Sequence, residues 1–397
     1  MTKIERKVDI SFNKLLKWLK ENGYKGYDPY GFIGQEWIKS IFGTKNNLRG
    51  KFRKALKIIS DRYPYLFIKI FNVKPKINAK SMGLLALGYF NLFEKTNDEK
   101  YLIDGEKILT WLSSNYNQNY SGMSWGYPFH WYSRIFIPIS TPSSVVTGVI
   151  SDAYFKHYQL TKSVTSLNVI KKINAFFLSE LKHFRIDDNN ICFSYTPIDN
   201  FRVHNASLFT AVFFAKFYKI TGEMNSKKLS IDAARFTLNE QNADGSFCYW
   251  SNEKDSVIDH FHTGYNLRHL HTIARITKSD WIIPKINLGY EYFINNLFDT
   301  NNLPVYTNKL SYPKDTHAFA ETILTLDQLS DIKFSIDNKK KIEHIFNTCV
   351  EFCIDEMQTK SGYFIWQINK NNKKIDVPFI RWCQSWMFLA FTKILKL

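Results

Sequence analysis

Six short segments of this 397-residue sequence combine acidic, imidazole and guanidinium side chains with tyrosine and tryptophan. Carboxylates and imidazoles can move protons, and guanidinium groups bind carboxylates through paired hydrogen bonds. Aromatic faces can stack on sugar rings. A site with so many hydrogen-bonding groups suits a saccharide better than an apolar ligand. We therefore predict that the six segments surround one saccharide cleft.

Proton abstraction next to a carboxylate is the chemistry that these residue types favour. The reaction needs a base, for which we predict His262 or His317. It also needs a cation that holds the substrate carboxylate and the charge that develops, for which we predict Arg381 or Arg202. An enzyme of this kind is a lyase or an epimerase.

Glycoside hydrolysis is the alternative, because it needs one carboxyl group as acid and a second as base or nucleophile. Asp28, Asp199 and Asp259 could supply that pair, and we include all three among the predicted catalytic residues. Asp199 precedes an apolar helix, where aspartate often only caps backbone N–H groups. A second alternative is a non-catalytic glycan-binding or scaffold protein, which needs only aromatic faces and hydrogen bonds.

The other members of the six segments are predicted to bind the substrate. They are Tyr27, Trp125, Tyr127, His130, Arg134, Tyr195, Arg202, His204, Asn205, Tyr265, Glu321, Arg381 and Trp382. His260 and His262 could hold a metal with His317, but no carboxylate–histidine spacing supports such a site. The prediction therefore includes no metal and no cofactor.

The segments recur roughly every 55–70 residues, between helices of two kinds. Helices of the first kind are apolar on every side, as a fully buried helix should be. They are predicted at 78–95, 142–160, 203–221, 262–277, 315–330 and 378–396. Helices of the second kind carry a single apolar stripe. They are predicted at 4–21, 99–116, 163–182, 225–241, 284–298 and 338–357.

Repeated helical hairpins bury their apolar faces only by packing against their neighbours. The first helix has no partner before it and the last has none after it, so the two can pair. The sequence thus predicts an all-α protein, an (α/α)6 toroid closed by its N- and C-terminal helices. We expect one domain over residues 1–397, with 35–70 as a helical insertion on the rim. The polar segments then share one end of the ring.

The composition and charge of the chain limit the classes of molecule that it is expected to bind. The formal net charge of +17 would attract an acidic glycan, although lysines scattered over outer helices also arise from codon bias. No nucleic-acid-binding motif and no long uncharged apolar stretch is present, so we expect neither nucleic acid nor a membrane span. Five irregularly spaced cysteines and a charged N-terminus without an apolar run predict a cytoplasmic protein. The sequence does not specify an oligomeric state.

Several stretches together resemble a family of uncharacterised bacterial toroids whose genes lie in capsule and lipopolysaccharide clusters. They are YKGYDPYGF, WGYPFHWYSRIFIPISTPSSVVT, SYTPIDNFRVHNASL, QNADGSFCYW, IDHFHTGYNL and PFIRWCQSWMFLA. Members are often labelled delta-aminolevulinic acid dehydratase or prenyltransferase-like, but the βα alternation of that dehydratase's TIM barrel is absent here. More distantly, the layout is similar to the toroids of unsaturated glucuronyl hydrolases, uronate lyases and glucuronyl epimerases. The resemblance implies an enzyme of surface-polysaccharide biosynthesis that acts on an oligo- or polysaccharide.

Overall fold

The computed structural model describes residues 3–45, 47–253, 257–332 and 336–395. Its helices are α1 (Lys3–Glu21), α2 (Glu36–Phe42), α3 (Leu48–Arg62), α4 (Pro64–Ile70), α5 (Ala79–Thr96), α6 (Glu99–Ser114), α7 (Ser144–Thr161), α8 (Val164–Ser179), α9 (His204–Thr221), α10 (Met224–Asn239), α11 (His260–Thr277), α12 (Ile283–Asn296), α13 (Thr316–Gln328), α14 (Ile336–Phe352) and α15 (Ser385–Ile394). Its strands are β1 (Trp131–Tyr132), β2 (Phe136–Ile137), β3 (His183–Asp187), β4 (Asn190–Phe193), β5 (Lys314–Asp315), β6 (Gln367–Ile368) and β7 (Lys374–Ile375).

Six helices form a closed inner ring. Helices α5, α7, α9, α11, α13 and α15 each contact the next, and α15 returns to contact α5. The outer helices α6, α8, α10, α12 and α14 pair with the inner helix before them, and α1 pairs with α15. The rings of Phe12 and Phe388 lie 5.2 Å apart in that last pair. The predicted all-α toroid and its closure by the terminal helices are confirmed.

The turns that follow three outer helices each pack against the next outer helix, and the turn after α14 packs against α1 in the same way. Gly122, Gly245 and Gly362 have φ of +73°, +92° and +102°, a region that favours glycine. A Cβ at these glycines would lie 2.0 Å from the carbonyl oxygen of Lys172, 2.4 Å from that of Leu288 and 2.4 Å from that of Lys14. Those carbonyls belong to α8, α12 and α1. Thus α1 occupies the position of a sixth outer helix.

The last inner helix differs in detail from the prediction of one helix over 378–396. A π-helical turn at Ile380–Gln384 precedes α15. Such turns often occur at functional sites because they re-aim side chains. The strands of the described residues form only two- and three-stranded antiparallel sheets. A TIM barrel of eight parallel strands, which a dehydratase would require, is not formed by this part of the chain.

Helices α2, α3 and α4 occupy the range predicted as a helical insertion. They have a small core of their own, formed by Phe32, Ile33, Ile38 and Val73. The expectation of a single domain over residues 1–397 stays a prediction. No helix in the described ranges is both long and apolar enough to cross a membrane.

Candidate active site

The first turns of the six inner helices meet at one cavity of about 110 Å³. They contribute Lys80, Val145, Asn205, Phe261, His262, His317 and, from the π-helical turn, Arg381. Aromatic residues complete the wall: Tyr30, Tyr127, Phe129, Trp131, Tyr195, Tyr249, Tyr265 and Trp382. Because helix N-termini carry partial positive charge, the six helices together favour an anionic group in this cavity.

A larger cleft of about 750 Å³ adjoins the cavity and shares Tyr30 and Trp382 with it. One side of this outer cleft belongs to α3, through Lys57, Asp61 and Arg62. Another part of its wall is the β6–β7 hairpin, including Lys370 and Lys373. Its volume is typical of a ligand cleft, so a chain of sugar units could extend from the cavity into it.

Asp259 and His262 form a pair at the cavity wall. Asp259 precedes α11, and its carboxylate accepts a hydrogen bond of 2.8 Å from the backbone N–H of His262. The same carboxylate lies 2.5 Å from Nδ1 of the His262 ring. A carboxylate at this position holds the imidazole proton on Nδ1, which leaves the Nε2 lone pair available. Within the described residues Nε2 of His262 has no hydrogen-bond partner, so this imidazole can act as a base.

His317 lies beside it in a drier position. Its ring packs 4.7 Å from Phe261 and 5.0 Å from Trp386, measured between centroids. Its Nε2 is hydrogen-bonded to the hydroxyl of Tyr265. Burial lowers the pKa of His317 well below its ordinary value, and the nearby ammonium of Lys80 adds to this effect. His317 is therefore neutral near physiological pH, and it can exchange a proton with Tyr265.

Lys80 is a charged residue of the cavity that sequence reasoning does not single out. It is only 4% exposed, and its ammonium makes no ion pair or hydrogen bond with the described residues. Its nearest ring centroids are those of Trp386 at 5.2 Å and Tyr265 at 5.8 Å. Burial, assisted by the charge of Arg381, lowers the pKa of Lys80 to about 7. The signal available in the sequence is a lysine in the first turn of an otherwise apolar inner helix.

Arg381 is held by a two-point ion pair with Asp28, at 2.6 and 2.9 Å. Both side chains are buried, at 6% and 8% exposure. The guanidinium also lies 4.9 Å from the ring centroid of Tyr127 and 5.2 Å from that of Trp382. Burial opposes the charge of Arg381, but Asp28 outweighs it, so the pKa of Arg381 is raised. The geometry makes Asp28 a residue that positions Arg381, because both of its carboxylate oxygens are already engaged.

Two other acids predicted for the site lie outside the cavity wall. Asp199 accepts hydrogen bonds from the backbone N–H groups of Tyr195, Thr196 and Phe201 and from the Thr196 hydroxyl, at 2.6–3.3 Å. It therefore fixes a loop rather than facing substrate. Glu321 is fully buried and forms a two-point ion pair with Arg268, at 2.6 and 2.9 Å. It lies beside the cavity without lining it.

Three further predicted substrate-binding residues are occupied elsewhere. Trp125 is 1% exposed, and its indole N–H donates to the Leu112 carbonyl at 3.0 Å, so it belongs to the core. His204 is buried, with its Nε2 3.3 Å from Glu240. His130 is buried as well and is bonded to Glu36 of α2, which ties the insertion to the ring. The expected role in substrate contact does not fit these positions.

The last three lie around the rim. Arg134 is half exposed and pairs with Glu253 at 2.5 Å. The guanidinium of Arg202 lies 5.2 Å from the Phe184 ring centroid, away from the cavity wall. Tyr27 bridges to Phe379 through its backbone and lines a small adjoining pocket with Asp28.

Eight of the predicted residues line the cavity: Tyr127, Tyr195, Asn205, His262, Tyr265, His317, Arg381 and Trp382. Asp259 and Asp28 do not line the cavity themselves. Asp259 contacts the ring of His262, and Asp28 forms an ion pair with Arg381. Like Lys80, Phe261 and Tyr249 are not among the residues predicted from the sequence, and their rings lie 4.3 and 4.5 Å from that of His262. Tyr249 lies within a recurring turn and Phe261 lies at the start of an inner helix. These positions are the signal in the sequence that could have indicated the two residues.

Comparison with solved structures identifies the architecture. A cellobiose 2-epimerase from Bacillus thermoamylovorans matches with a TM-score of 0.63 and 10% identity, over 81% of this chain and 90% of that one. An unsaturated glucuronyl hydrolase specific for heparin matches with a TM-score of 0.64 and 12% identity, over 98% and 96%. A GH76 α-mannanase from Bacteroides thetaiotaomicron matches with a TM-score of 0.57 and 12% identity, over 80% and 86%.

These likenesses show the fold alone, an (α/α)6 toroid of six helical hairpins. The three matched structures are those of an epimerase and two hydrolases, so the fold is compatible with either reaction expected from the sequence. No family model matches the sequence, and no curated protein matches it either. The resemblance to the capsule and lipopolysaccharide toroids therefore stays a prediction, and the dehydratase label receives no support.

Proposed function

We propose that this protein is a carbohydrate-active enzyme that removes a proton from an acidic sugar, with His262 as the base. The observation that carries the proposal is the composition of the cavity wall. Among the described residues, those that line the cavity include two histidines, a lysine and an arginine, but no aspartate or glutamate. The enzyme class is that of a lyase or an epimerase.

The residues divide the reaction between them. Nε2 of His262 takes the proton from the carbon next to the substrate carboxylate, and the C–H electron pair passes into the carboxylate as an enolate. Lys80 and Arg381 stabilise that negative charge. In an epimerisation, the Tyr265 hydroxyl returns a proton to the opposite face of that carbon, and after product release the Tyr265 phenolate and the His262 imidazolium are reset by proton exchange with solvent. In an elimination, the electron pair instead forms a carbon–carbon double bond and expels the neighbouring glycosidic oxygen, which takes up a proton from the His262 imidazolium.

An acidic substrate follows from the charges around the cavity. Arg381 is neutralised by Asp28, and Arg268 is neutralised by Glu321. Lys80 is left as a buried cation without an ion-pair partner among the described residues. A substrate carboxylate would supply the missing negative charge, and a neutral sugar would leave the ammonium uncompensated.

Hydrolysis by a carboxylate pair is disfavoured by the same contacts. Each aspartate predicted for this role is already held: Asp28 by Arg381, Asp199 by backbone N–H groups and Asp259 by His262. A glycoside hydrolase needs one free carboxylic acid and one free carboxylate facing the same glycosidic bond.

The biological setting that we propose is the synthesis of a bacterial surface polysaccharide, in the cytoplasm. The support is the resemblance of the six sequence stretches to toroids encoded in capsule and lipopolysaccharide clusters, together with five irregularly spaced cysteines, which favour a reducing compartment.

The test is to offer the purified protein a panel of acidic and neutral oligosaccharides and to follow three products. A new ultraviolet absorbance reports the double bond of an elimination, and a changed sugar configuration by NMR reports an epimerisation. A new reducing end without either signal reports hydrolysis and would contradict the proposal. Binding that protects the protein against heat without any product would instead support a glycan-binding protein.

A further inference from the structure

Helix α3 exposes apolar residues and buries polar ones, which is the reverse of an ordinary surface helix. Its apolar residues Leu48, Phe52 and Ile59 are 69%, 60% and 49% exposed. With Ala55 they follow spacings of four, three and four residues, which places them on one face of the helix. The buried residues of α3 are Gly50, Arg53 and Ser60. An outer face that is more apolar than the inner face indicates that a partner covers it.

Arg53 explains why the helix lies this way. Its guanidinium donates a hydrogen bond of 2.5 Å to the Gly43 carbonyl and stacks 3.9 Å from the ring centroid of Tyr132. Tyr132 belongs to β1, so this contact holds α3 against the ring with its apolar face outward. The orientation is therefore fixed by a buried contact, which a rotated helix would lose.

Helices α2 and α4, which both contact α3, expose apolar residues as well. Trp37 and Ile41 of α2 are exposed, as are Leu66 and Ile70 of α4. Trp37 stacks on Phe71 with 5.3 Å between centroids, and both remain more than one-third exposed. Residues 35–71 hold eleven of the 22 large apolar residues that are exposed in the described chain. We call this surface the apolar face of the insertion.

The same segment is strongly basic. Residues 35–71 contain nine lysines and arginines but only two acidic residues. Exposed lysines alternate with the apolar residues, for example Lys51 and Lys54 beside Phe52. Apolar and aromatic side chains beside lysines and arginines are the combination that binds the interface of an anionic lipid bilayer.

We propose that the apolar face of the insertion docks on an anionic membrane surface, so that the protein is peripherally bound. Charge decides between this partner and a second copy of the chain. A two-fold dimer through this face would bring the two basic segments together and leave them without counter-charges. An anionic bilayer accepts the apolar residues and neutralises the lysines at the same time.

The apolar face of the insertion lies next to the outer cleft, so docking would bring that cleft close to the membrane. Lys57, Asp61 and Arg62 of α3 also line the outer cleft, so the membrane-facing helix and the cleft wall are the same element. A docked protein would hold its cleft beside the bilayer, within reach of glycans that are attached to lipid. The docking proposal rests on α2–α4 and does not depend on the reaction proposed for the cavity.

The test is flotation of the full chain with phosphatidylcholine vesicles that contain or lack phosphatidylglycerol. We expect binding only to the anionic vesicles and loss of binding at high salt. The double variant Phe52→Ser, Ile59→Ser should weaken binding roughly tenfold or more, because two exposed apolar anchors are lost. Lys51→Glu with Lys54→Glu should weaken it through charge.

The matched control is Val164→Ser with Ile186→Ser, which removes two apolar residues that are 69% and 54% exposed outside the insertion. This variant should bind as the unchanged protein does. Equal binding to neutral vesicles, or an equal loss in the control, would overturn the proposal. A change in solution mass caused by Phe52→Ser, Ile59→Ser without any vesicle binding would overturn it in favour of a protein partner. Circular dichroism checks that each variant is folded.

Discussion

Asp28 and Arg381 are 353 positions apart in the sequence, and their side chains form a two-point ion pair at the cavity. The loop after α1 is thereby joined to the π-helical turn before α15. The closure of the ring and the position of a predicted substrate-binding residue depend on the same contact. The active-site geometry is thus coupled to the pairing of the chain ends.

Removal of Asp28 should destabilise the protein strongly. Asp28→Asn leaves the buried guanidinium of Arg381 uncompensated, and we expect a loss of about 3–5 kcal/mol in the free energy of unfolding. Adding Arg381→Met should recover part of that loss, which a double-mutant cycle by urea unfolding measures. Glu21→Gln breaks an exposed pair with Lys17 and serves as the control. A single-variant loss no larger than that of Glu21→Gln would show that the pair does not hold the ring together.

The contact between Gly362 and α1 gives a second test of ring closure. Gly362→Ala introduces both a strained φ and a Cβ 2.4 Å from the Lys14 carbonyl oxygen. Gly222→Ala has the same kind of strain, at φ of +78°, but open space around the new Cβ. We expect Gly222→Ala to cost about 1–2 kcal/mol and Gly362→Ala clearly more, by thermal unfolding. Equal losses would mean that the turn does not pack tightly on α1.

Lys80 should make stability depend on pH in a defined window. Its pKa is about 7 in the folded protein and close to the ordinary 10.5 in the unfolded chain. Between these values the unfolded chain binds more protons, so the contribution of Lys80 to the free energy of unfolding rises with pH. The rise is up to roughly 1.4 kcal/mol per pH unit. The difference in unfolding free energy between the protein and Lys80→Met should therefore change across this window. Parallel pH curves for the two proteins would argue against a buried ammonium.

Two tryptophans that the sequence analysis treats alike should behave differently. Trp125→Ala removes a core side chain and should cost about 3–5 kcal/mol of stability. Trp382 lines the cavity, and its indole N–H donates to Asp315 at 3.0 Å. Trp382→Ala should weaken glycan binding, measured by calorimetry. Trp125→Ala, measured on the fraction of protein that remains folded, should weaken glycan binding by a smaller factor. The reverse order would contradict the placement of the site.

The fold could be predicted because its signals are periodic and local. Apolar residues on every side mark an inner helix such as α9, and a single stripe marks an outer helix such as α10. Turn glycines such as Gly245 recur at equivalent positions. The unpaired first and last helices then leave closure as the arrangement that buries both apolar faces.

The site was only partly predictable, because sequence position does not tell which way a side chain points. Trp125 and Tyr127 are two residues apart, and the first enters the core while the second lines the cavity. Asp199 and Asp259 both precede inner helices, but Asp199 binds its own loop and Asp259 binds an imidazole. Lys80 was not predictable as a site residue until its neighbours were known, because Glu321 and Asp28 nearby are paired with Arg268 and Arg381 and leave Lys80 without an ion-pair partner among the described residues.

The central claim is that His262, oriented by Asp259, removes a proton from the sugar. The most direct measurement on an acidic oligosaccharide is the uptake of deuterium from heavy water at the carbon next to the carboxylate, followed by NMR, or, for an elimination, the rate at which the ultraviolet absorbance of the new double bond appears. His262→Ala and Asp259→Asn should lower the exchange rate by about 10²–10⁴-fold. His344→Ala, which changes an exposed histidine on α14, should leave it unaltered. Glycan cleavage that gives new reducing ends, takes up no deuterium and survives His262→Ala would contradict the account.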